Sequence, residues 1–120
     1  MKAIGLDIGT TSICGIRMDC RSGEIEKTVH VKNDSWLKGE EVWEKLQDPW
    51  RIWDHVMKIL KELLDPHVMA IGVTGQMHGI LYVNEEGEAI SPLITWQDGR
   101  GNLSFEDGTY ASYLYGHTGY

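Results

Sequence analysis

Two spacings of apolar residues succeed one another along this chain, and together they predict a sheet interrupted by a helix. Residues 3–7 form a short apolar run closing on Asp7, as a buried central strand would. Residues 13–19 then alternate, with Cys14, Ile16 and Met18 against Arg17 and Asp19, the pattern of a half-buried strand. After the turn at Arg21, Ser22 and Gly23, the residues Ile25, Val29 and Val31 alternate with Glu26, Thr28, His30 and Lys32, which suits a third antiparallel strand nearer a sheet edge. The chain therefore opens as a three-strand meander.

The period changes further on. A loop at 35–39 leads into a short helical piece with Val42, Trp43 and Leu46 on one side. Asp48 can cap the next helix and Pro49 suits its first position. Trp50, Trp53, Met57, Leu60 and Leu64 recur there at helical spacing, so the two tryptophans are expected to anchor the helix on the sheet. Pro66 separates that helix from VMAIGVTGQMHG, a β-branched strand expected to be buried, with a glycine-rich exit. A strand–helix–strand crossover makes it parallel to the first strand. Residues 80–84 and 93–97 are two short apolar segments joined by a polar turn, a hairpin-like arrangement. The final stretch, SFEDGTYASYLYGHTGY, is weakly helical and shows no capping element.

Composition narrows the function classes. The 120 residues, 42% of them hydrophobic, suffice for one modest core. A net charge of -7, with the basic residues scattered among acids, excludes the clustered Lys and Arg that nucleic acid requires. No apolar run spans a bilayer and Asp7 breaks the N-terminal apolar stretch, so neither a membrane helix nor a signal peptide is expected, and the cytoplasm is the expected location. Cys14 and Cys20 are too few and too close for a disulfide framework, and no Cys/His spacing matches a zinc site; both are expected to be reduced core thiols.

Candidate chemistry falls in three places. In GLDIGTTS, the turn Gly9, Thr10, Thr11, Ser12 offers backbone N–H groups and three hydroxyls, and its glycine lets the backbone come close to a ligand. This is a plausible phosphate cradle, although both the Walker pattern and the dinucleotide fingerprint are absent. Asp7 beside it sets a negative charge against a negative ligand. A Mg2+ ion held by Asp7, directly or through water, reconciles the two; alternatively Asp7 only satisfies turn amides between two strands. The second place is Gln76, Met77 and His78 between Gly75 and Gly79, at the C-terminal end of the parallel strand, where ligands of open α/β sheets bind. The third is Trp96, Gln97, Asp98 and Arg100, an indole face with a carboxylate and a guanidinium, suited to a sugar by stacking and bidentate hydrogen bonds. Asp98 and Gly99 equally make a plain turn, with Arg100 paired to a nearby acid.

These three motifs, in this order, resemble the FGGY carbohydrate kinases of the actin and hexokinase ATPase superfamily. GLDIGTTS matches the first phosphate motif, GVTGQMHGILYVNEEGEAISPLITWQDGR the sugar-site stretch, and HTGY a Thr-Gly pair. Gly-Gln-Met-His-Gly is similar to xylulokinases, whereas Thr95 to Arg100 and the QDP before the helix look closer to the sedoheptulokinase branch.

The resemblance implies an α/β, ribonuclease H-like mixed sheet with an N-terminal antiparallel meander and flanking helices. It implies that Asp7 helps manage Mg2+, that Gly9, Thr10, Thr11 and Ser12 approach the terminal phosphates of ATP, and that Gln76, Met77, His78, Trp96, Asp98 and Arg100 belong to the ketose pocket or its wall. Family members are several times longer, so residues 1–120 are expected to be the N-terminal portion of the first domain. The general base, the rest of that domain and the second domain are then expected beyond Tyr120, and the piece alone is expected to be inactive. Apolar area left open where further chain would dock is an expected driver of self-association. Two other readings stay open: a non-catalytic sugar- or nucleotide-sensing module, and an actin-like ATPase domain that binds no sugar.

Overall fold

The computed structural model describes all 120 residues. Strands β1 (Lys2–Ile8), β2 (Ser12–Asp19) and β3 (Ile25–Lys32) form the expected antiparallel meander, joined by two tight turns. Helix α1 (Pro49–Leu63) then crosses back over the sheet, and β6 (Val68–Gly75) lies parallel to β1, giving the order β3-β2-β1-β6. Between β3 and α1 lie two-residue strands, β4 (Trp36–Leu37) and β5 (Leu46–Gln47). β5 also pairs with β7 (Leu93–Ile94), making a small second sheet beyond the end of α1. The chain closes with the hairpin β8 (Ser104–Phe105) and β9 (Gly108–Thr109) and with helix α2 (Tyr110–Thr118). This is the mixed α/β arrangement that the alternation patterns predicted.

The core lies on one face of the sheet. Ile4 and Leu6 of β1 and Ile13 of β2 meet Ile52, Val56, Ile59 and Leu63 of α1. Asp48 caps that helix through the amides of Trp50 and Arg51, with Pro49 in its first turn. The buried stripe differs from the expected one, because Trp50 and Trp53 are 56% and 58% exposed. The reason lies in β2: a Cβ on Gly15 would come within 2.5 Å of Ile59 Cγ2 and 2.6 Å of Leu63 Cδ1. A helix seated that closely accepts branched aliphatic side chains at its contact and turns the indoles outward.

Other expectations are corrected for similar reasons. Across β2 the residues facing α1 are Ile13 and Gly15, so Cys14, Ile16 and Met18 occupy the opposite, open face. Cys14 is half-buried there and Cys20 is exposed, so neither free thiol belongs to the core. β6 forms the free edge of the sheet and is exposed along nearly its whole length, although its composition suggested a buried strand. No helix forms before α1. Val42 is exposed and the Glu44 carboxylate accepts from the amides of Glu40 and Glu41, closing a turn that three apolar residues could not outweigh. The hairpin expected between 80–84 and 93–97 is reduced to one bridge between those segments, Ile80 to Ile94, with a second, Val83 to Ala89, inside the connection, while Leu93 and Ile94 pair with β5 along their other edge; Pro92 has no N–H to offer a continuous ladder. At the end of the chain α2 is capped after all: Thr109 and Ser112 form a reciprocal capping box, and Gly119 closes the helix in the left-handed region. No helix is long and apolar enough to cross a membrane.

Candidate functional site

Asp7 sits second from the end of β1, level with Cys14 of β2 and Thr74 of β6, so strand alternation turns it away from α1 onto the open face. The residue is exposed and its carboxylate accepts no hydrogen bond from the chain. The reading in which Asp7 merely satisfies the turn amides therefore does not describe this structure.

Two of those amides are themselves free. The turn is closed by Gly9 N donating to Ser12 O at 2.9 Å, and a Cβ on Gly9 would fall 2.8 Å from that same oxygen, so no larger residue fits. The backbone N–H groups of Thr10 and Thr11 take no partner in the chain. The carbonyls, by contrast, are held from behind. Asn33 Nδ2 donates to Gly9 O at 2.9 Å, Asn33 N donates to Thr11 O at 2.9 Å, and Gln47 Nε2 donates to Thr10 O at 2.9 Å. With the carbonyls of Gly9, Thr10 and Thr11 held by these donors, the unpartnered N–H groups of Thr10 and Thr11 remain available to an anion.

Asn33 and Gln47 are both essentially unexposed and were not anticipated from the sequence. Asn33 Oδ1 accepts from the amide and hydroxyl of Ser35. The loop between them is tied to α1, where Arg51 grips Asp34 with bonds of 2.9 and 2.7 Å and His55 adds a third at 2.7 Å. The Arg51 guanidinium, followed by His55, holds the Asp34 carboxyl far below the ordinary carboxylate range. The brace behind the turn is thus anchored to the helix.

Because β1 and β6 are parallel, their C-terminal ends lie side by side, and Gln76 N donates to Ile8 O at 3.0 Å. The glycine-flanked loop therefore emerges next to the turn. Asp7, Thr10, Gln76, Met77, His78 and Trp96 line one crevice of about 310 Å³. His78 adopts φ 59°, a conformation uncommon for a residue with a Cβ and characteristic of strained functional loops. His78 and Trp96 also form the wall of a second cavity of about 530 Å³, which Trp43, Asp98, Arg100 and Tyr110 share.

The third motif is more internally committed than the first. Asp98 accepts from Arg100 Nε at 2.6 Å, from Arg100 N at 3.1 Å and from Lys45 N at 2.9 Å, and its side chain is 2% exposed. Burial raises this carboxyl, and the Arg100 guanidinium with the two amides outweighs burial, leaving it below the ordinary range. Arg100 lies 5.6 Å over the Trp43 ring. Asp98 and Arg100 thus make the turn and ion pair, and with them a rigid cavity wall. Of the three hydroxyls in the turn of residues 9–12, Thr10 Oγ1 is engaged with Gln76 and Trp96, whereas those of Thr11 and Ser12 make no bond within the chain.

The chain is similar to known proteins in sequence and in fold. The chain is 31% identical over 101 residues to a xylulose kinase of Escherichia coli (strain K12), a match covering 81% of this chain and 20% of that protein. It is 32% identical over 133 residues to a sedoheptulokinase of Mus musculus, covering 85% of this chain and 27% of that protein. The crystal structure of ligand-bound xylulose kinase from Lactobacillus acidophilus superposes with a TM-score of 0.70 at 29% identity, over 83% of this chain and 20% of that one. The chain thus spans about a fifth to a quarter of the length of the curated relatives named. The pattern of the FGGY family of carbohydrate kinases, N-terminal domain, runs through residues 2–108, from the first strand past both loops of the crevice, and this chain belongs to that family.

Proposed function

We propose that residues 1–120 are the N-terminal portion of the first domain of an ATP-dependent kinase that transfers the γ-phosphoryl group of ATP to a hydroxyl of a ketose. One observation carries the reading: a free carboxylate, Asp7, and the free amide of Thr10 share a crevice with Gln76, Met77, His78 and Trp96, and the free amide of Thr11 follows in the same turn. Identity to the xylulose kinase and to the sedoheptulokinase is alike, 31% and 32%, so we assign a xylulose- or sedoheptulose-like ketose rather than one sugar. Two free cysteines, Cys14 and Cys20, accord with a cytoplasmic setting.

In this reading Gly9, Thr10, Thr11 and Ser12 receive the terminal phosphates, with backbone N–H groups aimed at the oxygens on which charge accumulates. Asp7 suits a hard cation, being a lone unpaired carboxylate beside the phosphate turn, the donor set that Mg2+ uses when phosphates and water complete its shell. When bound, Mg2+ would offset the charge of the phosphate oxygens. Gln76, Met77 and His78, with Trp96, orient the ketose so that its hydroxyl oxygen attacks the γ-phosphorus in line, forming the new P–O bond as ADP leaves. Asp98 and Arg100 stiffen the wall. The proton of the attacking hydroxyl needs a carboxylate base; Asp98 is taken up by its own partners, and the family resemblance implies that the base belongs to the remainder of the longer protein. In the longer protein, Asp7→Asn should cut ketose-dependent ADP release by at least about a hundredfold, on the scale of losing one electrostatic stabiliser. Turnover equal to wild type would remove Asp7 from the mechanism.

A further inference from the structure

Gln47 touches neither crevice, is 0% exposed, and yet uses both ends of its amide on residues that line one. Its Nε2 donates to Thr10 O at 2.9 Å, and its Oε1 accepts from Gln76 Nε2 at 2.9 Å. Thr10 Oγ1 in turn donates to Gln76 Oε1 at 3.2 Å and accepts from Trp96 Nε1 at 3.0 Å. The direction of every bond is forced by the two ends of this chain of groups. A carbonyl only accepts, so Gln47 must present its NH2 to Thr10 O and its oxygen to Gln76; an indole N–H only donates, so Thr10 Oγ1 must accept there and give its own proton to Gln76. The result is one head-to-tail relay, from Trp96 on the sugar wall to the carbonyl of Thr10 in the phosphate turn. Such a relay polarises cooperatively, and a break in its buried part leaves unpaired polar groups.

We propose that Gln47 is a positioning residue that couples the sugar wall to the phosphate turn, so that a ketose against Trp96 and Gln76 sets the turn for the nucleotide. The proposal rests on the ketose-kinase reading above. Linkage makes the effect reciprocal: a sugar that tightens nucleotide binding is itself tightened by the nucleotide, by the same factor.

The test uses the full-length kinase and a non-hydrolysable ATP analogue with Mg2+, titrated calorimetrically with and without saturating D-xylulose or sedoheptulose. Wild type should bind the analogue about 5- to 150-fold more tightly with sugar. In Gln47→Leu that ratio should fall to within about twofold of unity, while the affinity for sugar alone changes less than the ratio does. A merely structural role would weaken both ligands and lower the melting temperature without removing the linkage. Should Gln47→Leu not fold, Thr10→Val, which deletes the relay's hydroxyl, should lose the linkage and Thr10→Ser, which keeps it, should retain it. A wild-type ratio preserved in Gln47→Leu, or in Thr10→Val, overturns the coupling and leaves the kinase reading standing, as does a wild-type enzyme that binds both ligands without linkage. A wild-type enzyme that binds neither ketose overturns the ketose-kinase reading and the coupling with it.

Discussion

His78 is the residue at which local strain and candidate function coincide. Its φ of 59° places a side chain in a region that glycine enters freely, and the residue lines both cavities. His78→Gly should therefore be about 1 kcal/mol more stable to urea than His78→Ala, and both should lose ketose affinity if the imidazole meets the sugar. Equal stabilities would show that the backbone there relaxes on substitution. The residues that present chemistry outward, Asp7, Gly9 and the Gln76 to His78 loop, were legible because their types and spacing carry the signal themselves. Asn33 and Gln47 were not, since an amide side chain becomes a brace only through partners 24 and 37 residues away. Nothing adjacent to either in the sequence points at the turn.

Among the elements, α1 shows how a correct period can be assigned to the wrong face. Two apolar stripes run side by side on this helix, one carrying Trp50 and Trp53 and the other Ile52, Val56, Ile59 and Leu63. Gly15 chooses between them, because it admits the helix close to β2 and the thinner stripe makes the closer fit. Gly15→Ala should accordingly cost about 1–3 kcal/mol in chemical denaturation through overpacking against Ile59 and Leu63. Wild-type stability in that variant would mean that the helix shifts at no cost. The meander and the parallel crossover were predictable, since turn residues and alternation are local and the handed crossover leaves few alternatives. The two-residue strands β4, β5 and β7 were not, being too short to carry a period.

The molecule as a whole is extended, with a radius of gyration of 18.0 Å where a compact domain of this length has about 14 Å. Helix α1 packs over β1, β2 and β3, and its cover stops short of β6, where Met69 is 75% and Val73 65% exposed on an edge strand without a single charged residue. Such an edge pairs with other strands unless a charge or a cover prevents it. The 120-residue chain should therefore self-associate as its concentration rises in sedimentation velocity, a second copy adding to β6, and Met69→Lys should return it to monomer. A wild-type chain that stays monomeric throughout would show the edge to be protected.

The sequence by itself determined the order of the main strands, the capped helix and the three groups of residues with the chemistry for phosphate and sugar, because short-range periodicity and side-chain type carry that information. Only the tertiary structure decided which face of each element is buried, that Asp7 stands unpaired at the open end of the sheet, and that Gln47 joins two motifs 66 residues apart. Those outcomes depend on packing distances and hydrogen-bond partners between distant segments, which exist only once β1 and β6 lie side by side.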